Sequence, residues 1–489
     1  MQLERKSPRS SATDTVAKSP KIEHSPTPAG NGQGKPAFDQ PPLIRAALTA
    51  ASCALLGVAP GGAYAATDPM GMESALLFYN EADNRVSVAE AVASIIKPLG
   101  DQETLTFTPE VDIISGASPT GATPTNTLQT IGSVTTPAGE LPLQKFNDQR
   151  FAIGLTYAHP LDRLRRSETG ITYSSERDYS SLGFSYSRMH DFNNKLTTLT
   201  LGVSGSADSV TPSTGVFAAG LTAARSVAPA TKTAAPAAVV APHVYTRASG
   251  ISVGGTSGAS GSSSGGGGYS SRPSKSKKVV DALIGITQVV NRHLLVQLNY
   301  ALDDSSGYLT DPYKIISSID GTTGETVGYL YEKRPDSRLR QSLYAKAVLH
   351  LPTDVIHASY RHYWDDWGIV SDTFDLQYRI QLDGGAYVQP EVRYYTQTAA
   401  DFFYYALVDG AVLPTYASAD YRLAQMNSTT YGLKLAIPLA DSGEFDVRAS
   451  YMQQTGNGYP TDAIGVQRTQ NLYPGLDAYI LQIGYSINF

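Results

Sequence analysis

The sequence predicts an antiparallel transmembrane β-barrel of about sixteen strands, and three observations carry the prediction. Hydrophobicity alternates with a period of two in segment after segment, with small or polar residues on the other parity. The last such segment ends the chain on Phe489. The gaps between segments alternate between short turns and long connections, the habit of barrels that cross an outer membrane.

Residues 1–41 are polar, rich in Ser, Pro and Lys and without hydrophobic periodicity, and read as a disordered extension. Residues 42–65 read as a signal peptide. Arg45 precedes the apolar run Ala46–Ala59, Pro60-Gly61-Gly62 breaks it, and Ala63-Tyr64-Ala65 fits a signal-peptidase site with cleavage after Ala65. Cys53, the one cysteine, lies inside that run and has Ala50 where a lipoprotein signal would carry Leu. Its removal with the signal excludes disulfides, thiol chemistry and a structural zinc site from the mature chain. Charged residues make up 17% of the 489 residues, against about 25% in a typical soluble domain. No window approaches the roughly 18 unbroken apolar residues of a spanning helix, which excludes a helical multi-span protein. The net charge of -6 argues against a nucleic-acid partner.

Residues 66–489 form the expected barrel. In chain order its strands are 73–80, 85–97, 102–114, 150–159, 168–177, 179–189, 195–205, 279–290, 293–302, 338–351, 354–364, 369–382, 385–396, 424–438, 444–455 and 477–489. Phe151, Ile153, Leu155 and Tyr157 alternate with Ala152, Gly154 and Thr156, and Tyr431, Leu433, Leu435 and Ile437 with Gly432, Lys434 and Ala436. The final run places Tyr479, Leu481, Ile483, Tyr485, Ile487 and Phe489 on one face. The first hairpin and 195–205 alternate least clearly, which leaves fourteen strands as the alternative count.

Short turns at Asp191–Asn194, Pro352-Thr353, Asp383-Gly384-Gly385 and Ala440–Gly443 then fall on the periplasmic side. Long connections at 115–148, 204–277, 303–337, 397–423 and 456–476 fall on the extracellular side. A soluble sandwich would also alternate. A uniformly polar second face, Tyr at strand ends and the turn pattern favour the barrel. Within 204–277, the Ala-Pro-rich stretch 227–242 and the Gly-Ser-rich stretch 250–271 cannot bury a core, so this segment reads as a mobile low-complexity loop.

Catalytic and metal chemistry find little footing. His357 and Ser359 share the lumen parity, but a serine nucleophile also needs a third, orienting group, and no Asn occurs on the next strand. Asp303, Asp304, Asp311 and Asp320 lack EF-hand spacing and read as a solvated loop. Trp364-Asp365-Asp366-Trp367-Gly368 reads as a tight outer turn with interfacial tryptophans. No catalytic residue, cofactor or metal is expected, and an enzyme is the less favoured class.

The lumen is the informative surface. Arg338, Arg340, Lys346, Arg361, Arg379, Arg393, Lys434 and Arg448 fall on the inward parity, with Asp375, Glu391 and Asp446 among them. Glu110 and Asp112 do so on the early strands. Charges cannot face lipid cheaply, so they line a wet interior. They form either a basic stripe that favours small anionic solutes or a ladder of cross-strand ion pairs that stiffens the wall. Matching the apolar faces across Asp383-Gly384-Gly385 puts Ile380 opposite Val388, Gln377 opposite Glu391 and Asp375 opposite Arg393.

Tyr79–Val86, Ser115–Ala122, Arg334-Pro335-Asp336-Ser337-Arg338 and the stretch from Ser359 to Trp367 resemble signatures of one family. It is the uncharacterised Gram-negative outer-membrane group catalogued as domain of unknown function 3570. The resemblance covers nearly all of the mature chain, and 204–277 departs from its pattern. It implies a barrel in the outer membrane of a Gram-negative bacterium, with a small lipoprotein and a flavin-transferase-like protein encoded nearby. It supplies no activity and no catalytic residue. Resemblance to other outer-membrane barrels makes Tyr485, Ile487 and Phe489 the insertion signal for the barrel-assembly machinery. The function expected is an outer-membrane pore or cell-surface scaffold in contact with outer-membrane lipid. The alternative is an outer-membrane enzyme, or a partner in assembling an exported, flavin-linked enzyme system.

Overall fold

The computed structural model describes residues 70–83, 85–100, 102–131, 134–213, 217–218, 220–224, 273–439 and 443–488. The expected signal peptide with Ala63 and Ala65, the extension before it, and Phe489 lie outside the described residues.

The strands are β1 (Gly71–Glu81), β2 (Ser87–Gly100), β3 (Glu103–Pro119), β4 (Gln129–Ile131), β5 (Val134–Thr136), β6 (Leu143–Asp162), β7 (Arg165–Ser175), β8 (Tyr179–Phe192), β9 (Thr197–Val210), β10 (Lys275–Asn291) and β11 (Leu294–Gly307). They continue as β12 (Ile315–Ile319), β13 (Thr326–Tyr331), β14 (Ser337–His350), β15 (Val355–Asp365), β16 (Val370–Gln381), β17 (Tyr387–Gln397), β18 (Ala406–Val408), β19 (Met426–Leu439), β20 (Gly443–Gly456) and β21 (Leu476–Asn488). Sixteen of them close into an antiparallel barrel in chain order, with β1 paired to β21. β4, β5, β12, β13 and β18 leave the wall. The first hairpin and β9 are both in the ring, so sixteen holds and fourteen does not.

Alternation decides which face meets lipid. Leu433, Leu435 and Ile437 on β19 are exposed, while Lys434 and Ala436 between them point inward. Aromatic rows run around the outside: Tyr360, Phe374 and Tyr394 are register neighbours on β15–β17, and Tyr431, Tyr451 and Tyr479 on β19–β21. Such belts are the signature of a bilayer interface. Tyr485 and Ile487 share the parity of exposed Tyr479 and Leu481. Across β16 and β17 the partners are Ile380↔Val388, Gln377↔Glu391 and Asp375↔Arg393, the register expected from the apolar faces.

Several strands reach further than the sequence expectation: β3 runs to Pro119, β6 starts at Leu143 and β11 runs to Gly307. β9 runs to Val210 and β10 starts at Lys275, so both ends of the 204–277 loop belong to the wall. Their inward residues Ser204, Ser206 and Asp208 alternate with Gly205, Ala207 and Ser209, and that pattern carries no apolar signal. The Ala-Pro-rich and Gly-Ser-rich stretches lie outside the described residues. Replacing 225–272 with a short Gly-Ser link should leave folding unchanged, since each halving of loop length changes closure entropy by only about 0.6 kcal/mol. Heat-modifiable electrophoretic mobility checks this, and loss of the folded band would contradict it.

The second difference is larger. The long connections do not stand free; they interlock over one end of the barrel, here called the outer end. β12 pairs with β13 and, in parallel, with β18, joining the 307–337 and 397–426 connections in one sheet. The β3–β6 connection joins through Thr120, whose carbonyl accepts from Ile315 N at 3.0 Å. Leu221 N donates to Tyr331 O at 3.0 Å, and Val466 N to Thr323 O at 2.8 Å. At that last crossing Gly324 and Gly465 both have positive φ, and a Cβ on either would collide with the other backbone. Ile316, Leu407, Ala417 and Ala419 form the apolar core of this lid, with Leu221 and Leu330 against it.

Three hairpin tips spaced around the ring hold the lid. Arg85, between β1 and β2, donates to Gly475 O at 2.5 Å and lies 5.7 Å from the Tyr421 ring centroid. Asp178, between β7 and β8, accepts from Tyr313 OH. Trp367, between β15 and β16, meets Phe402 edge-on at 5.1 Å. Trp367 is therefore not interfacial as expected; it is buried with Ile369, Ala400 and Leu423 and clamps the lid to the rim.

Candidate functional site

The charges of the basic wall fall into three levels. At the outer rim, Arg338 donates to Asp365 at 2.5 Å and Arg340 to Asp303 at 2.7 Å. Towards the inner end, Lys434 lies 3.3 Å from Asp446, and the Arg379 guanidinium sits 3.6 Å from the Tyr387 ring centroid. Arg448 lies 3.4 Å from Glu391, whose carboxylate leans over Gly432, where a Cβ would collide with it. Between these levels stand Lys346, Arg361 and Arg393. Among the described residues none of the three makes a hydrogen bond or ion pair. Arg361 lies 5.6 Å over the Tyr344 ring, with its Nε buried and unpartnered. Asp375, opposite Arg393, accepts instead from Gln377 at 3.1 Å. Ion pairs thus hold Arg338 and Arg340 towards one end and Lys434 and Arg448 towards the other, with the three unpaired cations between them.

The facing wall has the opposite sign. Glu90, Glu110, Asp112, Asp148, Glu168, Asp208 and Asp281 point inward on β2–β10, against Arg150, Arg166 and Lys277. Arg150 bridges Glu110 and Asp112, its Nε 2.5 Å from Asp112. β3 is third and β15 eleventh in the ring, so Glu110 and Asp112 stand eight strands from Arg361, half-way round. An acidic wall facing a basic one sets up a field across the lumen.

The four loop aspartates do not converge. Asp303 holds Arg340, Asp304 points the other way on β11, and Asp320 accepts from Thr322 N and Thr323 N at 2.9 and 2.7 Å. Asp311 pairs with Arg422 at 3.0 Å. His357 stands opposite Gln377, and Ser359 opposite Lys346 and Asp375; among the described residues no hydrogen bond joins His357 to Ser359.

The lid holds a second charge cluster that reading the sequence missed. Asp311, Lys314, Glu332, Arg334, Asp420 and Arg422 come from two connections and pack together, with Lys314, Glu332 and Asp420 almost wholly buried. Arg334 donates to Glu332 at 3.0 Å and to Asp420 at 2.8 Å. Arg422 reaches Asp420 at 2.5 Å as well as Asp311. Lys314 donates to Pro119 O at 2.5 Å, tying in the β3–β6 connection. Burial pushes Asp420 up, but Arg422, Lys314 and Arg334 outweigh it and hold the carboxyl well below its ordinary range. Burial, with Asp311 and Asp420 close by, pushes Glu332 up against the pull of Arg334. Burial likewise pushes Lys314 down and the Tyr421 phenol up to about 12. Three acids and three bases balance, which is how a buried set of this size is tolerated. The sequence signals were Arg334, first residue of the Arg334–Arg338 signature, and Asp311, read as part of a solvated loop.

A family model described as "Protein of unknown function (DUF3570)" matches residues 45–487. The chain belongs to this family. The DUF3570 match spans every barrel strand to within a residue of the end of β21, and it takes in both lumen and lid. No curated protein sequence matches the chain. Solved structures similar to this DUF3570 barrel include a bacterial polysaccharide outer membrane secretin, 7% identical, covering 86% of this chain and 99% of that one, with a TM-score of 0.40. The outer membrane protein OpdK of Pseudomonas aeruginosa is 8% identical, covering 86% and 99%, at 0.35. The toluene transporter TodX of Pseudomonas putida is 8% identical, covering 87% and 90%, at 0.35. Likeness at this level carries no inference about function.

Proposed function

We propose that the protein is an outer-membrane pore for small charged solutes, anions above all, with its chain ends in the periplasm and the lid narrowing its outer mouth. The observation that carries this reading is the mid-height basic level, where Lys346, Arg361 and Arg393 have no ion pair among the described residues while Arg338, Arg340, Lys434 and Arg448 above and below them do. A wall needed only for strength would pair its charges throughout or fill its interior with apolar side chains. Cations held uncommitted in a wet lumen attract anions and repel cations. Purified protein in planar bilayers should give discrete conductance steps, with a reversal potential on the anion side in a KCl gradient. Asp375→Asn removes the one acid at that level and should move the reversal potential further towards anions. It should shift stability by less than about 1 kcal/mol, because Asp375 makes no close ion pair and a half-wet charge contributes little.

The interlocked lid favours a second reading, a closed cell-surface scaffold. Absence of conductance both in the wild type and in a variant with the lid loosened would select it.

A further inference from the structure

Lys346, Ser359, Asp375 and Arg393 are successive register partners across β14, β15, β16 and β17, all on the inner face. Arg361 is the next inward residue up β15 from Ser359. Strand spacings of about 4.8 Å and rises of about 3.3 Å per residue put Arg361 and Arg393 roughly 12 Å apart at Cα, two strands over and two residues along. Lys346 and Arg361 stand roughly 8 Å apart by the same geometry. All three side chains are long enough to reach the lumen space in front of Ser359 from those points. Three cations share the patch with one acid, Asp375, which accepts its hydrogen bond from Gln377. The Arg361 guanidinium is held over Tyr344, its buried Nε unpartnered. The patch thus has excess positive charge, spare donors on a planar fork and a neighbouring hydroxyl.

We infer that Lys346, Arg361 and Arg393 form a mid-lumen subsite for an oxyanion, a carboxylate or phosphate group carried on a small solute. The inference deepens the pore reading and names what the lumen selects. A guanidinium pairs two parallel N–H donors with two oxygens of such a group, and chloride cannot use that geometry. The subsite is therefore selective among anions, beyond the sign of their charge. Asp375 competes for the same cations and sets the affinity low enough for release.

The test uses the full chain in planar bilayers with inorganic phosphate or acetate added to KCl. Saturable reduction of the chloride current is expected, and whichever anion acts at lower concentration identifies the preferred oxyanion. Arg361→Gln with Arg393→Gln should raise the half-blocking concentration about tenfold or more. Arg361→Lys keeps the charge without the fork and should weaken block by a smaller factor, and it serves alone if the double variant does not assemble. Asp375→Asn should tighten block, and Arg379→Gln, whose guanidinium is committed to Tyr387, should leave it unchanged. A second readout, calorimetric titration of detergent-solubilised protein with phosphate and acetate, needs no conduction. Binding that is lost in the Arg361 variants of a non-conducting protein would sustain the subsite and defeat the pore. Conductance with neither anion blocking, or with block indifferent to Arg361 and Arg393, would sustain the pore and overturn the subsite.

Discussion

Asp420→Asn should open the outer mouth. Asp420 is buried and receives both Arg334 and Arg422, and the substitution keeps its shape while removing its charge. Two guanidinium groups are then left short of an acceptor inside the lid. Removing one partner from a buried ionic set costs about 3–5 kcal/mol, comparable to what a small interlocked assembly has to lose. The barrel wall holds its own hydrogen-bond ladder and should stay folded, with heat-modifiable mobility intact. The 307–337 and 397–426 connections should become protease-sensitive, and single-channel conductance should rise several-fold. Asp320→Asn, in an exposed turn of the same lid, should change neither. An Asp420→Asn protein with wild-type conductance and protease resistance would show that the apolar cluster around Ile316 alone holds the lid.

Leu433→Arg should be the most damaging single change on the outer wall. Leu433 is 53% exposed at the middle of β19, between Pro390 and Ala449 on the neighbouring strands. On a water-facing sheet an Arg there would be neutral or favourable. In a bilayer midplane it costs about 2–4 kcal/mol. Urea titration of protein refolded into vesicles should show that loss, whereas Lys434→Gln, one residue on and facing the lumen, should cost well under 1 kcal/mol. Equal stability of Leu433→Arg and wild type would place this face in water and end the transmembrane reading.

Much of this architecture was legible from local pattern. The period-two runs located all sixteen wall strands, because a strand that separates lipid from a wet lumen must put apolar and polar residues on alternate sides at every step. The same rule set the register that brings Asp375 to Arg393, since a slip of one residue would turn charges into the bilayer. It also placed Lys346, Arg361 and Arg393 on one parity, so the membrane part of the candidate site could be read before any fold was in hand.

The lid could not be read that way. β12 and β18 meet in parallel although some ninety residues separate them; β12 is buried at every residue and so has no alternating face, and β18 is only three residues long. Asp311 looked like a charge of a solvated loop, and Trp367 like an interfacial anchor. Burial reversed each reading. Whether Lys346 and Arg361 would find acids was equally closed to the sequence, because the distance between charged heads depends on side-chain direction as well as parity. The sequence by itself determined the wall, because the bilayer acts on every strand locally and in the same way. Only the tertiary structure decided that the outer end is covered and that the mid-lumen cations meet no ion-pair partner among the described residues, because both depend on contacts between residues far apart in the chain.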